Sequence, residues 1–124
     1  MPKGWMAGFA GIAGVALLAG CAPKNLSYSR DVAPILSNNC SECHAPGKPG
    51  FLANGLDTTS HAALMKGGKF GPLIKPGDAF TSALNMLVEG RANPSIRMPH
   101  GKEKLSDKDI EILKVWVNEG AKNN

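Results

Sequence analysis

Asp31-Val32-Ala33-Pro34-Ile35-Leu36-Ser37-Asn38-Asn39-Cys40-Ser41-Glu42-Cys43-His44 is the stretch on which the reading of this chain turns. Val32, Ile35, Leu36, Cys40 and Cys43 recur at helical spacing, so the segment is expected to form a helix with one apolar face. Ser29 or Asp31 is placed to cap it, and Pro34 is compatible only with the first turn, where a missing N–H removes no hydrogen bond. Such a helix delivers two thiols about one turn apart, with an imidazole directly after the second. The following Ala45-Pro46-Gly47-Lys48-Pro49-Gly50 has the composition of a loop.

Cys-x-x-Cys-His is the spacing of covalent haem attachment. Two thiols so placed reach two vinyl groups of a porphyrin and form thioethers, and His44 is then carried under the ring with its imidazole toward the iron. Rival readings are weaker. A thiol redox pair normally sits beside a βαβ pattern, and none is visible. Half a zinc site needs two further ligands, and His61 and His100 form no second cluster. Iron leaves a sixth position after four porphyrin nitrogens and His44. Met98, pinned by Pro99 in a loop ahead of the last helix, is the first candidate for it; His100 is the second and His61 the third. Met65 and Met86 sit at helical spacings and read as gap-filling core residues.

The first twenty residues read as a segment apart. Lys3 is followed by an apolar, small-residue run from Trp5 to Gly20, the layout of a secretory signal, with an uncleaved anchor helix as the alternative. Leu18-Ala19-Gly20-Cys21 resembles the lipobox of bacterial lipoproteins. That resemblance implies cleavage before Cys21 and acylation of its thiol, with a membrane anchor as the result. Ala22 is not the Asp that usually retains such products at the inner membrane, so the outer membrane is the expected destination, facing the periplasm or the cell surface. The expected division is a leader over 1–20, a lipidated tether over 21–27 and one domain over 28–124. Of three cysteines, one is then acylated and two hold the haem, which leaves none for a disulfide.

Within that domain, helices are expected from Thr59 to Lys66, stopped by Gly67-Gly68, and after Asp78 as N-cap, with Phe80, Leu84, Leu87 and Val88 on one stripe ending at Gly90. Ser106-Asp107-Lys108-Asp109 opens a last helix to about Glu119, burying Ile110, Leu113, Trp116 and Val117. Arg91 to Lys104 is expected to be ordered loop, and strand signals are weak throughout. With 124 residues, 15 Gly and 9 Pro, the chain has room for one small loop-rich domain whose core a flat apolar ring would enlarge. Its net charge of +4 comes from dispersed cations, which gives no support for a nucleic-acid partner.

Taken together, the sequence resembles the class I c-type cytochromes, and among them the small single-haem planctomycete-type domain. The residues that carry this are Asp31 to Leu36 before Cys40–His44, then Gly55-Leu56-Asp57, Ala63 to Gly68, Gly71-Pro72, Pro76-Gly77-Asp78, Met98-Pro99, Leu105-Ser106 and Trp116 to Ala121. The resemblance implies an all-α fold of about four helices around one covalent haem c, with the N- and C-terminal helices packed together. It implies attachment at Cys40 and Cys43 and axial ligation by His44 and Met98. The family more often has a second proline where this chain has His100, which keeps His100 in contention.

A carbonyl of Pro46, Pro49 or Pro72 is a candidate partner for the second His44 nitrogen. Arg91, Arg97, Lys69 and Lys75 are candidates for the propionates, and Leu56, Leu64, Leu73 and Trp116 for packing on the ring. The function so implied is non-enzymatic single-electron transfer between a redox donor and acceptor at a membrane surface. The alternatives are a haem enzyme or gas sensor with a displaceable sixth ligand, or a subunit of a multi-cytochrome assembly.

Overall fold

The computed structural model describes Gly4 and residues 25–124, so the expected leader, Cys21 and most of the tether lie outside the described residues. A single π-helical turn, Tyr28–Val32, runs directly into α1, Ala33–Asn39. Then come α2 (Pro49–Asn54), α3 (His61–Lys66), α4 (Ala83–Glu89), a 3-10 turn at Pro94–Ile96, and α5 (Asp107–Asn118). Among the described residues there is no strand, only an isolated bridge between Gly68 and Gly71. The all-α class is thus observed, with five α-helices where about four were expected.

Local chemistry explains the boundaries. Ser27, rather than Ser29 or Asp31, opens the first helical unit: its Oγ accepts from Arg30 N at 3.2 Å. Asp31 returns the favour by accepting from Ser27 N at 2.8 Å, so two donors at the helix start are satisfied reciprocally. Pro34 falls in the first turn of α1, the position at which it is tolerated. Ser60 caps α3 through Ala63 N, and Ser106 caps α5 through Asp109 N at 3.1 Å. The anticipated cap at Asp78 is not used that way. Asp78 accepts instead from Thr81 N and Thr81 Oγ1, shaping a turn, and α4 starts at Ala83 after Ser82. Phe80 therefore falls before the helix and is 75% exposed, and the buried face of α4 is Leu84, Asn85 and Val88.

The segment expected to be loop, residues 45–50, runs into α2 at its last two positions. Pro49 occupies its first turn, where proline is pre-organised, and Gly55 ends it at φ 80°.

The core gathers Val32 and Leu36 from the N-terminal helical unit, Leu64 from α3, Val88 from α4, and Leu113, Trp116 and Val117 from α5, all almost fully buried. α5 packs against the N-terminal π-turn and against α4, so the two ends of the described chain close on each other. Tyr28 meets Trp116 at 5.7 Å between ring centroids and His61 at 5.0 Å, edge to face. Trp116 Nε1 donates to Lys122 O at 3.0 Å. The closure is polar as well: Glu119 accepts from Asn25 N and Leu26 N, and Asn124 accepts from Tyr28 N and Ser29 N.

Gly67 pins the loop after α3. It sits at φ 78°, and a Cβ there would lie 2.2 Å from Gly71 O and 2.6 Å from Pro72 Cα. Both the backbone angle and the space demand glycine. Gly67→Ala is expected to cost about 2–4 kcal/mol, combining positive-φ strain with forced separation of two backbone segments. Denaturant unfolding of the two proteins measures this as a lowered midpoint at unchanged slope.

Candidate functional site

The attachment segment leaves α1 as a tight turn rather than as a further turn of helix. Cys40 N and Ser41 N both donate to Leu36 O, at 2.8 and 3.0 Å, and Cys40 O then accepts from Cys43 N at 3.1 Å and His44 N at 2.9 Å. This closure brings both thiols and the imidazole onto one short loop of backbone. Cys40 is half-buried against the core, whereas Cys43 is exposed, so the two thiols do not share one buried stripe as the periodicity suggested. Burial pushes the Cys40 thiol up to about 11, against a smaller downward pull from Lys102, so it stays protonated at neutral pH.

His44 is held from several sides. Its carbonyl accepts from Thr58 N at 2.8 Å and Thr58 Oγ1 at 3.0 Å, and Ser41 Oγ lies 3.0 Å from the same hydroxyl. Thr58 is 4% exposed and is a supporting residue that the sequence reading missed; fourteen positions separate it from its partner, and a lone threonine carries no local signal. Burial lowers the His44 pKa below the ordinary histidine value, which favours the neutral ring that metal ligation requires.

Its Nδ1 is buried without a hydrogen-bond partner, so no carbonyl of Pro46, Pro49 or Pro72 is bonded to it. The ring lies so close to α2 that a Cβ on Gly50 would come within 2.7 Å of His44 Cε1 and 2.8 Å of both Nδ1 and Cys43 O. The Pro49-Gly50 pair therefore does two jobs: it opens α2, and it leaves the space the imidazole occupies. Ala normally strengthens a helix relative to Gly by about 0.5–1 kcal/mol, but here the steric term decides the sign. Gly50→Ala is expected to displace the His44 ring and perturb the low-spin ferric spectrum. Gly47→Ala, at φ 81° but with nothing within 4 Å of its Cβ, controls for backbone strain without a clash at the ring and should leave that spectrum unaltered.

The loop bearing Met98 is brought to the same neighbourhood. Lys102 pairs with Glu42, inside the attachment turn, and feels the Cys40 and Cys43 thiols electrostatically. Met98 N donates to Leu87 O at the end of α4 at 3.3 Å, and Met98 is partly buried against the core. Arg97 Nη2 donates to Lys102 O at 3.2 Å, which braces the loop from within.

The competing histidines are placed differently. His61 Nε2 lies 2.7 Å from Ala121 O, and its ring is enclosed by Tyr28 and Trp116, so that nitrogen is already used in closing the fold. His100 is exposed. Of the candidate propionate partners, Arg91 is engaged by Glu89 and by Phe80 O and stacks on the Phe80 ring, and Lys75 pairs with Asp78 at 3.4 Å. Lys69 is exposed. Leu64 and Trp116 are core residues, and Leu56 is 6% exposed.

One further polar side chain stands out. Asn85 on α4 is completely buried, and neither Nδ2 nor Oδ1 has a hydrogen-bond partner. Leaving such a group unpaired costs about 1–3 kcal/mol. The apolar stripe of Leu84, Leu87 and Val88 masked it in the sequence.

The profile of the planctomycete cytochrome C family matches residues 40–100, from the first of the paired thiols to His100. Over residues 40–100 the chain carries a domain similar to that family. No curated protein and no solved structure matches it. The matched cytochrome c domain implies haem c as cofactor, haem-based electron transfer as its chemistry and redox proteins in general as partners. The residues present fit that group. Two thiols at the required spacing, a ring biased to its neutral form and a Gly50 that makes room for it are the donor set and clearance a haem needs. Among the described residues no three His, Cys, Asp or Glu side chains gather as an alternative metal site.

Proposed function

We propose that this cytochrome is a membrane-tethered, single-haem electron carrier in which His44 and Met98 are the axial ligands and Cys40 and Cys43 the covalent attachment points. The observation that carries the reading is the Cys40–His44 turn, closed by the Cys40 carbonyl, with the Met98 loop tied to it through Glu42 and Lys102. When bound, the haem supplies a one-electron ferric/ferrous couple.

The chain's own residues determine how that couple is used. His44 offers a neutral imidazole, and its backbone carbonyl is clamped by Thr58, which fixes the backbone from which the ring projects while electrons enter and leave. Met98 offers a soft thioether, which favours ferrous iron and raises the potential relative to a second imidazole. With both positions filled no site remains for substrate, and the cytochrome carries electrons without making or breaking bonds. Cys43, exposed at the surface, marks the edge toward which a redox partner docks, through a small and transient interface. The leader over 1–20, acylation at Cys21, the domain over 28–124 and an outer-membrane position complete the proposal; they are supported by the lipobox resemblance.

Carbon monoxide tests the ligand set. The reduced protein is expected to bind it slowly and only at high concentration, because Met98 must leave first. Fast binding at low concentration would indicate an open sixth position and the alternative of a sensor or haem enzyme. Pyridine haemochrome analysis counts the thioethers, and two are expected. Sizing after detergent release separates a single carrier from a unit of a multi-cytochrome assembly.

A further inference from the structure

The folded frame begins earlier than the expected tether over 21–27 allows. Asn25 N and Leu26 N already donate to Glu119, at 3.2 and 3.3 Å, so only Ala22, Pro23 and Lys24 separate Cys21 from bonded structure. The four peptide units from Cys21 to Asn25 span at most about 14 Å when fully extended. A domain of about 100 residues has a radius of gyration of about 13 Å, so it is wider than such a tether is long. With Cys21 acylated, the side of the domain opposite Asn25 cannot reach the bilayer. The contact is confined to surfaces around the clasp between the two ends of the described chain.

Chemistry selects one face among these. A hollow of about 300 Å³ lies at the clasp, lined by Asn25, Leu26, Trp116, Glu119, Lys122 and Asn124. Its carboxylate, Glu119, is engaged by the two backbone N–H groups, whereas Lys122 is exposed and pairs with no carboxylate among the described residues. Arg30 stands beside it, paired with Asp31 and with its Nη2 3.4 Å from Asn25 O, and Lys24 adds a positive charge in the tether. The exposed large apolar side chains, Leu52, Phe70, Phe80 and Ile96, all lie outside this lining. The face therefore suits anionic headgroups rather than acyl chains. No residue of the Cys40–His44 turn and no Met98 lines it either.

We infer that the clasp face is seated on the phosphate-bearing headgroups of the bilayer that holds Cys21, with Lys122 making the ionic contact. The inference rests on the acylation of Cys21 proposed above. A short tether and one cationic contact together fix the tilt of the domain, so the haem is offered to redox partners in one orientation. A single basic group near an anionic lipid surface gains about fivefold in local affinity.

The test uses the acylated, haem-loaded protein in vesicles of phosphatidylethanolamine and phosphatidylglycerol. A membrane-impermeant amine reagent, read by mass spectrometry, is expected to label Lys122 about fivefold more slowly, relative to the exposed Lys69, than it does in neutral detergent. In oriented multilayers of the same lipids the haem absorption band is expected to be dichroic. A flexible Gly/Ser insertion of about 30 residues between Ala22 and Pro23 reaches about 30 Å. Combined with Lys122→Glu, it should abolish that dichroism; the Lys122 carbonyl that holds Trp116 Nε1 is backbone and is unaffected. An unchanged Lys122 to Lys69 ratio in vesicles, or an isotropic haem band in the unmodified protein, overturns the inference. So does dichroism that survives the combined variant. Intact mass separates the two levels. A mature chain without acyl groups on Cys21 defeats the tether and the seating with it, whereas an acylated chain with unprotected Lys122 defeats only the seating.

Discussion

Replacing Cys40 and Cys43 together with alanine is expected to give a colourless chain with most of its helical signal lost. α1 to α4 are six or seven residues long, and only α5 reaches twelve. Isolated helices of such lengths are marginal in water, so they depend on what they pack against. The residues between them are loops shaped by glycine and proline, which add a few buried apolar side chains such as Leu56, Ile74, Ala79 and Leu105 but no further regular structure. Covalent attachment removes the option of losing the ring on partial unfolding, and without it the small core must hold four short helices alone. Cys40 also packs on that core, so its truncation removes contacts directly. Visible absorption and far-ultraviolet circular dichroism of protein from cells competent in haem attachment measure both effects. A red, fully helical double variant would show that the thiols are not the attachment points.

Met98→Ala is expected to leave the haem attached and the fold intact while changing the iron. The hydrogen bond from position 98 to Leu87 O is a backbone one and survives the substitution, as do the Glu42–Lys102 pair and the bracing of the loop by Arg97. What disappears is the thioether. The sulfur-to-iron band should vanish, carbon monoxide should bind the reduced protein readily, and the potential should fall. For a one-electron couple each tenfold change in relative affinity for the two oxidation states is about 59 mV, and loss of a soft ligand is expected to exceed that step. His100, exposed and two residues along, is the group that would otherwise take the position. Met98→Ala/His100→Ala therefore distinguishes an open iron from one recaptured by imidazole.

Much of this arrangement was legible in the sequence because it is local. The helix leading to Cys40, the cap at Ser106, the stop at Gly67 and the inward face of α5 each follow from a few neighbouring residues. The features that escaped are those whose reason lies elsewhere in the chain. Pro49-Gly50 reads as a breaker until the His44 ring is seen where a Cβ would be. Phe80 fits an apolar stripe by spacing, but Asp78 spends its carboxylate on Thr81 and delays α4 until Ala83, which leaves the ring outside. Ser27 has the look of tether by sequence, yet its partner Asp31 makes it the true helix start. Thr58 and Asn85 are single polar residues in apolar surroundings, and neither has a sequence neighbour that reveals its use. The site itself divides the same way: the attachment pattern is a contiguous motif, whereas the support around it is assembled from α2, α4 and the loops.

The clasp between the two ends of the described chain bears on mechanics. Asn25, Leu26, Tyr28 and Ser29 are each bonded to Glu119 or Asn124, and Ser27 Oγ also donates to Asn124 O at 2.8 Å. A tug arriving along the backbone ahead of Asn25 is thus shared among several bonds lying side by side, and these must rupture together before the first helical turn can peel away. Strain applied from that direction passes into α5 before it reaches the Cys40–His44 turn.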